Sequence, residues 1–225
     1  MEQFSLKEVT KTYGKGSSSF QALKGISLDI KKGKTIAIIG KSGSGKSTMM
    51  HLLAALDTPT TGEIKFEGKL ISSMMSRVDI NKLRNETFGF VFQQFFLNGR
   101  DTVGSNVELP LKIAGIPFWK RKEMVEEVLK KVGLGDKIKN RANDLSGGQK
   151  QRVCIARALV NNPKVIFADE PTGNLDTVTG EQITDLLFDL NKSLGITLIF
   201  VTHDDDLAKR CEEIIKIADG KIVKE

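Results

Sequence analysis

The segment "GKSGSGKST", from Gly40 to Thr48, has residue types and a spacing suited to holding a phosphate. It matches the pattern G-x-x-x-x-G-K-[ST], and it lies between an apolar segment that predicts a strand and a segment that predicts a helix from about Lys46. The glycines allow the backbone to fold closely around an anion, so that its N–H groups form a nest for the oxygens. Lys46 can reach the β- and γ-phosphates of a nucleotide, and the Ser47 hydroxyl can ligate Mg²⁺. The predicted nucleotide site comprises Gly40, Ser42, Gly43, Ser44, Gly45, Lys46, Ser47 and Thr48.

Two adjacent carboxylates follow a second apolar segment, "KVIFAD". Asp169 stands at the C-terminal end of this predicted strand, where ligands collect in open α/β sheets. We expect Asp169 to hold Mg²⁺ directly or through water, and Glu170, which points elsewhere, to polarise an attacking water. This pair favours hydrolysis of ATP over phosphoryl transfer to a small metabolite.

The segment "LSGGQKQRVCIARAL" predicts a helix with an unusual start. Ser146 is a good N-cap residue, and Gln149 stands where a capping box has Glu or Gln. Gly147 and Gly148 each forgo about 1 kcal/mol of helix propensity relative to alanine. Since a helix N-terminus attracts anions, the two glycines predict a second place where a phosphate approaches the backbone.

The remaining pattern alternates between strands and helices. Strands are predicted in "FSLKEVTKTY", "ALKGISLDI", "TIAIIG", "GEIKFEGKLI", "FGFVF", "KVIFAD" and "TLIFVTH", and a closing hairpin in "EIIKIADGKIV". From about residue 93 to 157 helices dominate, with an apolar stripe at Val125, Val128, Leu129 and Val132. We therefore predict an α/β domain over 1–225, with a mixed parallel core sheet and an N-terminal antiparallel β-subdomain. Residues 1–92 and 158–225 form its core, and 93–157 form an inserted helical subdomain.

Composition sets outer limits on the function. With 225 residues, 28% charged and 40% hydrophobic, the chain is typical of a globular domain. Its apolar runs are shorter than the ~20 residues of a membrane span, and its N-terminus lacks the pattern of a signal peptide. The two cysteines have no metal or redox spacing, so we expect plain thiols in a reducing cytosol. A net charge of +6 suits nucleic acid, nucleotide phosphates or an anionic membrane, and decides nothing alone.

The order of "GKSGSGKST", "FVFQQ", "LSGGQKQR", "VIFADEPTGNLD" and "IFVTHD" resembles that in the ATP-binding subunit of an ABC transporter. The resemblance covers essentially the whole chain and implies the nucleotide-binding domain of that family of P-loop NTPases, with ATP and Mg²⁺ as ligands. In that family two subunits face each other head to tail. The resemblance therefore implies that Ser146, Gly147, Gly148 and Gln149 of one copy contact the ATP held by the Lys46 of the other copy.

Four further positions match the family one at a time. Tyr13 matches an aromatic residue that stacks on adenine, although an exposed strand aromatic is the alternative. Gln93 matches a glutamine that senses Mg²⁺ and the attacking water, and Gln94 competes for this role. Asp176 matches a loop that contacts the partner's site, and His203 matches a histidine that contacts the γ-phosphate.

The segments "GFVFQQFFL", "NVELPLKIAG" and "DEPTGNLD" are similar to the macrolide-exporter and lipoprotein-release branch. This implies a peripheral subunit on the cytoplasmic face of the cell membrane that drives an integral membrane permease, with peptides, antibiotics or lipoproteins as substrates. A periplasmic or extracellular adaptor is a further partner in this interpretation. The cell-division branch, which regulates wall hydrolases, is the alternative. A soluble DNA-associated ATPase is disfavoured because such relatives usually carry a coiled coil or zinc module before "LSGGQ", and we expect no nucleic-acid partner.

Overall fold

The computed structural model describes residues 1–71 and 76–223. Its strands are β1 (Glu2–Tyr13), β2 (Phe20–Lys31), β3 (Thr35–Ile39), β4 (Thr61–Phe66), β5 (Lys69–Ile71), β6 (Phe88–Phe92), β7 (Val165–Asp169), β8 (Thr197–Val201), β9 (Glu213–Ala218) and β10 (Lys221–Val223). Its α-helices are α1 (Lys46–Leu53), α2 (Arg77–Thr87), α3 (Val103–Ile113), α4 (Phe118–Lys131), α5 (Gly147–Leu159), α6 (Thr177–Leu194) and α7 (Asp205–Lys209). Contacts group the chain into two compact units, Met1–Ile80 with Thr197–Glu225, and Asn81–Ile196.

The first unit contains an antiparallel sheet in the order β2-β1-β4-β5 and the strands β10-β9-β3-β8. Strand β3 pairs in parallel with both β8 and β9, whereas β10 pairs antiparallel with β9, so the arrangement is mixed. Ile36, Ala37 and Ile38 are fully buried. A strand that is covered on both faces reads as a continuous apolar run, which explains "TIAIIG".

The second unit consists of the parallel pair β6–β7 and the helices α3 to α6. Helix α4 buries Val125, Val128 and Leu129 along the predicted stripe. Helix α6 follows the N-cap Asp176 and buries Ile183, Leu187 and Leu190. The strands β6 and β7 have the limits that the sequence predicted. Between α3 and α5, the described residues form helices and connecting loops without a strand.

Two elements differ from the sequence-based prediction. Residues 62–71 form two strands, because Glu67 and Gly68 turn the chain with φ values of 47° and 78°. Helix α2 was not predicted, since it is polar and lacks a clear apolar stripe. Its start nevertheless carries a capping signal: the Asp79 N–H donates to Ser76 Oγ, and that hydroxyl donates to the Asp79 carboxylate.

In the part of the chain that the structure describes, no helix has both the length and the hydropathy required to span a membrane.

Candidate nucleotide-binding site

The phosphate loop (residues 40–48) connects β3 to α1 in the first unit. Gly45 is the N-cap of α1 with a φ of 111°, and a Cβ there would lie 2.7 Å from the Ala22 carbonyl oxygen. The Lys46 ammonium donates to the carbonyl oxygens of Gly40 at 2.8 Å and Lys41 at 3.0 Å. The loop thus wraps around its own lysine, which is the arrangement that a phosphate cradle requires.

Ser44 provides a polar atom inside this loop. Its side chain is 6% exposed, and its Oγ has no hydrogen-bond partner among the described residues. Its carbonyl oxygen accepts a hydrogen bond from the Gly220 N–H at 2.9 Å, so the turn between β9 and β10 supports the loop from behind. A phosphate loop whose backbone is held from outside keeps its N–H groups fixed before the anion arrives.

His203 follows β8 at the same end of the sheet as the phosphate loop. Val201 pairs with Ile38 in the parallel β3–β8 ladder, which places the residues after both strands at one edge. His203 and residues 40–44 line one cleft of about 900 Å³. The structure therefore brings together two of the groups that were predicted from separate motifs.

Tyr13, the predicted base-stacking residue, ends β1 in the same unit. It is 39% exposed, and its hydroxyl donates to Asp57 at 2.9 Å. Burial, together with the neighbouring Asp57 carboxylate, raises the pKa of Tyr13 above its ordinary value. The side chain is thus partly accessible but anchored at its hydroxyl.

Of the residues predicted to hold Mg²⁺ or to activate water, Gln93, Asp169 and Glu170 lie in the second unit, whereas Ser47 lies in the phosphate loop of the first. Phe92 pairs with Asp169 in the β6–β7 ladder, so Gln93 and Glu170 both follow strand ends at one edge. Glu170 has a φ of 46°, a left-handed conformation that is uncommon for residues other than glycine and that recurs at functional sites. Gln93 Nε2 donates to Asn174 Oδ1 at 3.3 Å, which ties it to the loop that precedes Asp176.

The predicted capping box at the start of α5 is present. Ser146 Oγ accepts a hydrogen bond from the Gln149 N–H at 3.3 Å, and Gln149 Oε1 accepts one from the Ser146 N–H at 3.1 Å. The side chain of Gln149 is therefore engaged within its own chain. The N–H groups of the first turn have no intrahelical acceptors, which leaves this helix start suited to an anion.

Comparison with known proteins identifies the family. Residues 23–173 match the family model described as ABC transporter. The chain belongs to the ABC transporter family of ATPases. An uncharacterized ABC transporter ATP-binding protein of Thermotoga maritima is 48% identical over 217 residues, which cover 96% of this chain and 92% of that protein. A macrolide export ATP-binding/permease protein of Hyphomonas neptunium is 45% identical, and the match covers 98% of this chain but 34% of that protein.

Solved structures confirm the cassette fold. A dimeric bacterial ABC transporter cassette superposes with a TM-score of 0.87 at 44% identity, covering 98% of this chain and 97% of that chain. A dimeric cassette in a post-hydrolysis state, bound to ADP and Pi, gives a TM-score of 0.86 at 43% identity, covering 98% of this chain and 97% of that chain. The predicted α/β fold, with its antiparallel N-terminal sheet and mixed core sheet, is therefore correct.

One further residue of this ABC cassette was missed by the sequence argument. Gln151 is fully buried, and its Nε2 donates to the carbonyl oxygens of Pro171 at 2.6 Å and Phe92 at 3.3 Å. Pro171 is the residue after Glu170, and Phe92 is the residue before Gln93. Gln151 thus positions the two strand ends that carry the predicted chemistry. The sequence did contain a signal of this role, since a glutamine stands among apolar residues on the buried face of α5.

The glycines at the start of α5 also have a role within their own chain. A Cβ at Gly148 would lie 2.5 Å from Thr179 Cγ2, and one at Gly147 would lie 3.3 Å from Leu175 Cδ2. Asp176 caps α6 by accepting a hydrogen bond from the Thr179 N–H at 3.0 Å, and hydrogen bonding from Thr179 holds the pKa of Asp176 below its ordinary value. Close packing of α5 on the start of α6 is therefore a second reason for glycine, besides the approach of a phosphate.

We expect Gly148→Ala to destabilise the cassette by about 1–3 kcal/mol, because the new methyl group overlaps the Thr179 methyl group. Adding Thr179→Ser removes that methyl group and should restore most of the loss. Urea unfolding of both variants, with Thr179→Ser alone as the control, measures this. If the double variant is as unstable as Gly148→Ala, the packing explanation for the glycine is wrong.

Proposed function

We propose that this chain is the ATP-binding and hydrolysing subunit of an ABC transporter, and that ATP joins two copies head to tail. One observation carries the proposal: the chain has two helix starts suited to a phosphate, one in each compact unit. The similar solved cassettes are described as dimers, one of them with ADP and Pi. In the proposed dimer the phosphate loop of one copy and the start of α5 of the other enclose each ATP, giving two equivalent sites.

The first group of residues binds the triphosphate. Backbone N–H groups of residues 40–48 surround its oxygens, and Lys46 exchanges the carbonyl oxygens of Gly40 and Lys41 for the β- and γ-phosphates. From the other copy, the first-turn N–H groups of α5 and the Ser146 hydroxyl meet the γ-phosphate. His203 contacts the same phosphate from the end of β8.

The donor set of Ser47, Asp169 and Gln93 consists of oxygen atoms and therefore fits Mg²⁺. When bound, this ion neutralises charge on the phosphate oxygens. Glu170 accepts a proton from the attacking water, and its uncommon φ of 46° supports a functional role for this residue. Asp176 and its loop hold the start of α6 against α5 and meet the partner copy.

The membrane partner is a permease of the macrolide-export type, because fused ATP-binding/permease proteins are among the relatives. The cassette then acts at the cytoplasmic face of the membrane and drives export, or mechanical work on peptides, antibiotics or lipoproteins, with an extracytoplasmic adaptor as a further partner. Phe96, three residues after Gln93, is 66% exposed, and large exposed apolar side chains mark partner sites. Arg157 donates to the carbonyl oxygens of Phe95 and Phe96, which ties this loop to α5.

Removing the general base while keeping its shape tests the ATP-bridged dimer. With Glu170→Gln, ATP should bind but persist, so the variant should run as a dimer with ATP and Mg²⁺ and as a monomer with ADP, which lacks the bridging γ-phosphate. Size-exclusion chromatography with light scattering measures this. The control is a Glu170→Gln, Ser146→Arg double variant, in which the arginine fills the second phosphate site. A double variant that still dimerises with ATP contradicts the proposed role of α5.

Charge at the exposed phenylalanine tests the permease contact. Phe96→Glu should leave the ATPase rate of the isolated cassette within about twofold, because its side chain is exposed, yet abolish stimulation by a permease of the macrolide-export type. Phe118→Glu, at a side chain that is 72% exposed on α4, is the matched control and should retain stimulation. If both variants lose stimulation equally, Phe96 is not a specific contact with the permease. If Phe96→Glu unfolds the cassette, the Phe96 side chain belongs to the core.

A further inference from the structure

The Tyr13 side chain belongs to a partly buried charged cluster that the motifs did not indicate. Asp57 Oδ2 accepts the Tyr13 hydroxyl at 2.9 Å, and Asp57 Oδ1 accepts the Lys11 ammonium at 2.6 Å. The Lys11 Nζ lies 4.9 Å from the centroid of the Tyr13 ring. We propose that Asp57 and Lys11 are positioning residues, which fix the Tyr13 ring as the platform for the adenine base. This inference rests on the proposed binding of ATP.

The sequence explains why these groups meet. Lys11 and Tyr13 are two residues apart on β1, so their side chains share one face of the strand. Lys11 is only 9% exposed, and a buried ammonium requires an opposite charge and hydrogen-bond acceptors. Asp57 supplies the charge, and the Thr58 carbonyl oxygen accepts a second hydrogen bond from Lys11 at 2.8 Å. The lysine is therefore fixed beneath the ring, where a cation attracts the aromatic face.

Asp57 also connects this platform to the phosphate loop. The N–H groups of Leu56 and Asp57 donate to the His51 carbonyl oxygen near the end of α1, at 2.8 Å and 3.2 Å. Helix α1 begins at Lys46, the phosphate-binding lysine. Asp57 thus joins the aromatic ring, through its carboxylate, to α1, through its backbone N–H; the other end of this helix meets the triphosphate. Because base and phosphates belong to one ligand, a fixed spacing between their sites lowers the entropic cost of binding.

The contacts of Asp57 also determine the direction in which its pKa is shifted. Burial of Asp57 would raise the pKa of its carboxyl group, but the hydrogen bonds from Lys11, from the Thr58 N–H and from Tyr13 outweigh burial and hold the pKa below its ordinary value. The carboxylate is therefore charged at neutral pH. Since Tyr13 is the single tyrosine of the chain, its ionisation can be followed directly by tyrosinate absorbance.

The test compares ATP with inorganic tripolyphosphate, which lacks the base, by calorimetry. Tyr13→Phe keeps a stacking ring but loses the bond to Asp57, so ATP should bind about three- to tenfold more weakly, the worth of one hydrogen bond. A Lys11→Met, Asp57→Asn double variant removes both charges together and should weaken ATP at least as much. Neither change should alter tripolyphosphate binding. Thr61→Val, which removes a hydrogen bond to Thr10 elsewhere on β1, is the matched control and should bind ATP normally.

Asp57→Asn provides a direct readout of coupling, because loss of the carboxylate should lower the pKa of Tyr13 in the tyrosinate titration. Tyr13→Ala separates the binding of the base by Tyr13 from the positioning of Tyr13 by Asp57 and Lys11. If Tyr13→Ala leaves ATP affinity unchanged, Tyr13 does not bind the base and that part of the proposed function is wrong. If Tyr13→Ala weakens ATP at least tenfold while Tyr13→Phe and the double variant bind ATP like the wild type, stacking stands and the positioning role of Asp57 and Lys11 is overturned.

Discussion

Backbone N–H groups can surround a phosphate only where no side chain stands between a helix start and the anion. The cassette meets this constraint at two helices, α1 after the phosphate loop and α5 after Ser146. At both places glycine also allows close packing behind the helix start, against Ala22 in one case and Thr179 in the other. The glycines at these helix starts therefore leave room for a phosphate on one side and allow close packing on the other. This packing holds each helix start in place before a ligand binds.

In each unit, the ends of two parallel strands carry further residues of the predicted site. Strands β3 and β8 carry the phosphate loop and His203 in one unit, and β6 and β7 carry Gln93 and the two carboxylates in the other. Side-chain bonds then fix the strand ends: Gln151 holds two carbonyls in the second unit, and Asp57 ties β1 to α1 in the first. Gln151 lies within the motif "LSGGQKQR" and Asp57 lies outside the quoted motifs, yet the sequence alone did not indicate the bonds of either residue.

Local patterns predicted the strands and the capped start of α5 well, since each depends on neighbours in sequence. The apolar run before Gly40 and the capping box at Ser146 are examples. Contacts between distant segments could not be predicted. The approach of Thr179 to Gly148 and the bond of Asp57 to Tyr13 join residues 31 and 44 positions apart, and no periodicity reports such pairs. Helix α2 was missed for a different reason: it is exposed and polar, so its capping signal had no apolar stripe to support it.

The central claim is that each ATP is enclosed by two chains, and mixing two inactive variants tests it most directly. Lys46→Ala lacks the phosphate-binding lysine, and Ser146→Arg blocks the partner's ATP. In a mixed dimer one site combines the intact Lys46 of one copy with the intact Ser146 of the other. Only the mixed dimer contains an intact site, one of its two, so the mixture should regain ATPase activity, which would be about a quarter of the wild-type rate if equal amounts paired at random. A mixture that stays as inactive as its components would show that both phosphate sites serve the nucleotide of a single chain.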